Sequence, residues 1–102
     1  MQIDLAISAR SDIQETLTYY RAPSQLGDEF DSLFQAAVSH LGLWPYTGHR
    51  RRDLTRADVC FWFESPFYFV FQIRHDKLTV VAILHSSRNV IRILRNRLKK
   101  VH

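Results

Sequence analysis

"VCFWFESPFYFVFQIRHDKLTVVAILH", residues 59–85, is the stretch that decides the fold. Three runs rich in aromatic and β-branched residues, "VCFWFE" (59–64), "FYFVFQIR" (67–74) and "KLTVVAILH" (77–85), are separated only by "SP" and "HD". Breaks that short between runs of strand length predict a meander of hairpins. In the middle run Phe67, Phe69, Phe71 and Ile73 fall on one face, and Tyr68, Val70, Gln72 and Arg74 on the other. The first face is wholly apolar, so helices are expected to cover it.

Upstream, "QIDLAI" (2–7) alternates Ile3, Leu5 and Ile7 with Gln2, Asp4 and Ala6, the pattern of a short strand. Ser8 or Ser11 can then cap a helix, and Ser11 with Gln14 has the spacing of a capping box. Ile13, Leu17 and Tyr20 share one face of that helix, and Pro23 disfavours helix at Ala22. Ser24 can start a second helix. Its stripe of Leu26, Phe30, Leu33, Phe34, Ala37, Val38 and Leu41 is read as core packing, and Gly42 and Pro45 end it. The short gap between the helices implies an antiparallel helical hairpin.

"WPYTGHRRRDLTRAD" (44–58) is polar and turn-rich, and reads as a loop. Downstream, "NVIRILRNRLKK" (89–100) spaces Val90, Ile91, Leu94 and Leu98 for a short helix, with Arg92, Arg95 and Arg97 mostly outward. The expected architecture is a single α+β domain over residues 1–102. An N-terminal strand and a helical hairpin pack on a twisted, mostly antiparallel sheet of about four strands, and a short C-terminal helix follows.

The bulk composition fits a folded domain. Of 102 residues 46% are apolar, including seven Phe, four Tyr and two Trp, enough for one hydrophobic core. No apolar run approaches the ~20 residues that cross a bilayer. "MQIDLAISARSD" carries acid and lacks an apolar signal core, so no signal peptide is expected. Cys60, the single cysteine, reads as a small buried hydrophobe and cannot form an internal disulfide, which fits a cytoplasmic protein. The net charge of +4 divides into −4 over residues 1–40 and +8 over residues 41–102, with no acid after Asp76. That asymmetry suggests a positive face for a polyanion or an acidic partner segment; the bland alternative is a solvated tail that keeps the chain soluble.

Several chemistries lack their residues. With Gly27, Gly42 and Gly48 as its only glycines the chain has no phosphate loop, and its five His and one Cys show no zinc-ligand spacing. No metal or cofactor is expected. What remains is arginine with histidine. "GHRRRDLTR" (48–56) places His49, Arg50, Arg51, Arg52 and Arg56 in one loop, and His85 ends the last strand with Arg88 three residues on. Guanidinium groups bind phosphate bidentately and imidazole moves protons near neutral pH, the pair of roles that metal-free RNA cleavage needs. The structural reading of His85 is a strand-end imidazole holding a backbone carbonyl. The arginine loop reads equally as a phosphate or acidic-peptide contact and as solvated surface.

"YFVFQIRHDKLTVVAILHSSRN" (68–89) resembles the end of the RelE/ParE toxin family, where an aromatic-aliphatic strand, a polar turn and a strand ending "LH..R" precede the last residues. "ISARSDIQETLTYY" (7–20) resembles that family's first helix with the strand before it, and "FDSLFQAAVSHLGLWPYTG" (30–48) its second helix, proline bend and glycine. The resemblance spans roughly residues 2–95. It implies a cytoplasmic toxin of a bacterial type II toxin-antitoxin system, of the kind that inhibits growth and stabilises plasmids, bound tightly by a cognate antitoxin with a flexible, often acidic segment. Within such a family RelE-type members cut mRNA on the ribosome, and ParE-type members inhibit DNA gyrase by binding.

The departures from the family pattern favour the ParE-like reading. RelE-type nucleases carry an arginine early in the middle strand, where this chain has Ser65-Pro66-Phe67-Tyr68-Phe69. ParE-like sequences often place one arginine at the end of that strand and another inside the last; here Ile73 or Arg74 takes the first place and Ala82 the second. Nuclease members tend to place a tyrosine or histidine near the carboxyl terminus, where only His102 follows the last helix and His85 is the nearest candidate. On this reading no catalytic residue is assigned. Arg50, Arg51, Arg52, Arg56, Arg74, His85, Arg88, Arg92 and Arg95 are target- or antitoxin-binding candidates. The alternative is an endoribonuclease with His85 as acid or base and Arg88 or Arg74 on the phosphate.

Overall fold

The computed structural model describes residues 1–19 and 24–98. Along the chain run β1 (Gln2–Leu5), α1 (Ile7–Tyr19), α2 (Ser24–Leu43), β2 (Cys60–Glu64), β3 (Phe67–Arg74), β4 (Lys77–His85) and α3 (Val90–Leu98). A 3-10 turn, Pro45–Thr47, follows α2. The fold is α+β, an open four-stranded mixed sheet in the order β1-β4-β3-β2. The meander forms as its punctuation requires, with β2, β3 and β4 antiparallel. His75 and Asp76 turn the β3–β4 hairpin with φ of 52° and 59°. Both lie in the left-handed region that a two-residue hairpin turn uses to match the twist of its strands. β1 pairs in parallel with the first half of β4, Gln2–Leu5 against Lys77–Val80.

One irregularity decides how β4 is used. Phe71 faces Val80 while Val70 faces Ala82, so Val81 is an extra residue, a β-bulge. Before it, Leu78 and Val80 join the face of Phe69 and Phe71. After it Ala82 and Leu84 join the face of Val70, while Ile83 stays with the first face.

Each sheet face carries its own core. Phe67, Phe69 and Phe71 pack with Ala9, Ile13 and Leu17 of α1 and with Phe30, Leu33, Phe34, Ala37 and Leu41 of α2, so both helices cover the apolar face. On the opposite face Val70, Ala82 and Leu84 meet Val90, Leu94 and Leu98 of α3, and Leu54, Ala57 and Val59 of the long connection close the flank. Phe69, Phe71, Val70 and Leu84 are wholly buried, which only a sheet sandwiched on both faces allows.

Two expectations are corrected, and the reading of the last helix is refined. α1 starts at Ile7, which is 87% exposed and no part of β1. Ser11 lies inside α1 and is exposed, so no capping box forms; Ser8 instead donates its hydroxyl to the Val81 carbonyl at 2.7 Å. Ile91 is 42% exposed rather than core. Arg97 turns inward, because it sits two helical turns after Val90 on the buried side of α3. Cys60 is half-buried against the helix-covered core. Tyr20, the Ala22–Pro23 break, the Lys99–Lys100 end of the last segment and His102 lie outside the described residues, as does the side chain of Leu26. No helix of the described residues is long and apolar enough to cross a membrane.

Candidate functional site

The arginines and histidine picked out in the sequence fall into two groups on opposite sheet faces. His85 ends β4 opposite Phe67, on the face covered by α1 and α2. Its ring stands edge-on to the Phe67 ring with centroids 5.2 Å apart. Nδ1 accepts the Ser87 backbone N–H at 3.0 Å and lies 2.7 Å from the Ser87 hydroxyl. The imidazole therefore holds a backbone amide, not a carbonyl, and closes the turn in which the Arg88 N–H donates to the His85 carbonyl. A nitrogen that accepts a peptide N–H carries a lone pair, so in neutral His85 the proton sits on Nε2. A cavity of about 370 Å³ opens here, lined by Glu15, Thr16, Phe67, Ile83, His85, Ser87 and Arg88. Arg88 reaches Glu15 of α1 at 3.7 Å.

Arg74 does not join this group. It pairs with Lys77 at the opposite end of the β3–β4 hairpin from the Phe67–His85 pair. Eight residues of strand separate the ends, roughly 23 Å. Its side chain belongs to the other face, 3.9 Å from Asp58. The trio His85, Arg88 and Arg74 is thus not assembled: two members share a cavity and the third is distant.

The second group gathers where the 50–58 connection meets α3. One cavity of about 430 Å³ is lined by Arg56, Asp58, Gln72, Arg74 and Arg95 over Val59, Leu94 and Leu98. Another, of about 460 Å³, lies between Arg52, Asp53, Arg56, Ile91 and Arg95. Arg56 and Arg95 line both. The arginines differ in how far the protein already neutralises them. Arg51 binds both oxygens of Asp53, at 3.0 and 2.8 Å, and lies 5.8 Å from the centre of the Tyr68 ring. Hydrogen bonding to Asp53, then to Tyr68, raises the Arg51 pKa, and the same contact holds the Asp53 carboxyl below its ordinary value. Arg50 pairs with Asp58, which Arg74 also approaches. Arg52, Arg56, Arg92 and Arg95 are exposed and make no side-chain ion pair or hydrogen bond among the described residues.

Two features escaped the sequence reading. The first is a buried ion pair: Asp12 of α1 is 2% exposed and accepts both guanidinium nitrogens of Arg97, at 2.7 and 3.0 Å, and the Ile83 N–H at 2.9 Å. The two-turn spacing from Val90 to Arg97 is the signal that could have found it. The second is an exposed apolar corner at the end of α2, with Leu43 73%, Trp44 60% and Tyr46 76% exposed, which no periodicity marks. Beside it His40 stacks on Trp62 at 3.9 Å and donates from Nε2 to the Thr47 hydroxyl, which in turn donates to the Trp44 carbonyl. No group of three His, Cys, Asp or Glu side chains placed to hold a metal occurs among the described residues. No protein-family model matches this chain, and no curated protein is significantly similar to it.

Proposed function

We propose that this protein is the toxin of a bacterial type II toxin-antitoxin system, ParE-like, which arrests growth by binding DNA gyrase and is silenced by a cognate antitoxin in the cytoplasm. Support comes from the order strand, two helices, three-stranded meander and terminal helix, which is the order the RelE/ParE resemblance implies. The observation that carries the choice of a binding rather than a cutting toxin is the separation of Arg74 from His85, which leaves Arg88, already paired with Glu15, as the one candidate clamp beside His85 among the described residues. A nuclease site must hold its acid, base and phosphate clamp within hydrogen-bond reach of one scissile bond. The exposed Trp44 and Tyr46, with Leu43 beside them, supply the large side chains that anchor protein interfaces.

A RelE-like ribosome-dependent endoribonuclease is the second reading. It draws on one observation: His85, whose Nε2 is unpartnered among the described residues, and Arg88 line the same cavity. Induced expression in a host without the antitoxin separates the two, with plasmid supercoiling and bulk translation followed together. Relaxed plasmid and filamenting, DNA-damaged cells are expected. An immediate stop in translation with mRNA cut at codons, abolished by His85→Ala, overturns the gyrase reading in favour of the nuclease.

A further inference from the structure

We propose that the groove between the 52–56 turn and α3 is a binding site for the phosphate backbone of a double-stranded nucleic acid, formed by Arg52, Arg56, Arg92 and Arg95. Among the described residues these guanidinium groups have no carboxylate partner, whereas Arg50, Arg51, Arg74, Arg88 and Arg97 each have one. Arg52, Arg56 and Arg95 line one continuous groove, and Arg92 stands one turn before Arg95 on the same exposed side of α3. The carboxylates at the rim, Asp53 and Asp58, are already spent on Arg51 and on Arg50, so they oppose a polyanion little. Guanidinium forks match phosphate oxygens bidentately.

Two contrasts choose the occupant. A protein interface is built on buried apolar anchors, and among the described residues the exposed ones, Met1, Ile7, Leu43, Trp44, Tyr46 and Phe63, lie outside the groove, which offers only Ile91 beside the half-buried Leu54. A single-stranded nucleic acid is held by bases stacked on aromatic rings, and no aromatic side chain among the described residues lines either cavity. Repeated positive charge without stacking platforms fits a duplex held by its backbone, without sequence preference. This site stands apart from the gyrase and nuclease readings, since neither assigns a role to duplex contact by these residues.

The test is fluorescence anisotropy of the purified full-length protein with short labelled duplexes of DNA and of RNA, over a salt series. Four phosphate contacts give a slope of log affinity against log salt of about −3.6 on DNA, about a 150-fold loss between 50 and 200 mM. Each of Arg52→Gln, Arg56→Gln, Arg92→Gln and Arg95→Gln is expected to flatten that slope by about one and weaken binding to all sequences alike. Arg10→Gln removes an equal charge from α1 on the other face and is expected to change the slope little. The two duplexes decide which nucleic acid supplies the backbone. Equal losses from Arg10→Gln, tighter binding to a single strand, or tighter binding to polyglutamate than to either duplex each overturn the proposal. All variants are compared at matched thermal unfolding midpoints, which separates loss of contact from loss of fold.

Discussion

The two flanks of the sheet solve the same problem in different ways. On one side β1 ends at Leu5, and β4 continues past Val80 with an open edge. On the other side the outer edge of β2 is met, among the described residues, only by His49, whose N–H and carbonyl exchange hydrogen bonds with Phe61 at 2.9 and 2.7 Å. The β4 edge is closed by side chains. Ser8 and Arg97 donate to the Val81 carbonyl and Asp12 accepts the Ile83 N–H, so α1 and α3 together replace the missing strand. The β2 edge is closed by backbone for one residue pair, beyond which Phe63 is 48% exposed. The comparison teaches where the fold invests in rigidity. The β4 edge is interior and its polar groups have no water to turn to, whereas the β2 edge is solvated and tolerates an incomplete partner.

Breaking the β4 edge should therefore cost most. Asp12→Ala strands the Ile83 amide and leaves Arg97, one quarter exposed, without its anion. We expect a loss of about 3 kcal/mol, read from the denaturant midpoint. Asp12→Ala with Arg97→Met, which removes the stranded charge, should recover part of that loss. Recovery would show that much of the penalty is an uncompensated charge rather than a lost attraction.

On the β2 flank the sharpest test is Gly48→Ala. A Cβ at Gly48 would overlap Cζ of Phe71, a wholly buried ring, and lie 3.2 Å from the Phe61 carbonyl. The substitution must push the 48–50 segment off β2 or displace the ring, and about 1–3 kcal/mol should be lost. Adding Phe71→Leu should relieve the clash, and a melting curve of the pair checks this. If Gly48→Ala proves harmless, the His49 bridge contributes nothing to the edge.

Ser8→Ala is expected to cost about 1 kcal/mol, the worth of one part-buried hydrogen bond, because Arg97 still reaches the same carbonyl at 3.4 Å. The smallest effect belongs to the surface pair. Asp53→Asn should lower the unfolding midpoint at neutral pH only slightly, since both side chains are exposed. Its pH signature has a definite sign. Arg51 lowers the folded carboxyl below 3.8, so the contribution is complete above pH 3.8 and is lost as pH falls through the lower folded value. Acid unfolding curves of the protein and Asp53→Asn should converge at the lowest pH and differ only slightly above it.

The sheet was legible because its signals are local. The "SP" and "HD" breaks and the alternation of Phe67, Phe69, Phe71 and Ile73 depend on neighbours in the chain, and the face they define is the one the helices cover. Ser8 was misread for the opposite reason. A serine near a helix start has a local use as a cap, but here a carbonyl far along the chain, that of Val81, claims the hydroxyl. The candidate site was legible as a list of residues and not as a geometry. His85 with Arg88, and Arg52 with Arg56 and Arg95, stand out by composition; their placement on opposite faces follows from β4 register and from the path of the 50–58 connection.

By itself the sequence determined the number and kind of elements, the apolar face of β3 and the concentration of positive charge after residue 40, because periodicity and composition act over a few residues. Tertiary structure decided which arginines remain available. Arg95 and Arg97 stand two residues apart on one helix, yet among the described residues one faces solvent unpaired and the other is locked to Asp12, 85 residues distant in sequence. A charge keeps its value for a partner only where the fold has not already supplied the counter-charge, and that depends on which surfaces meet.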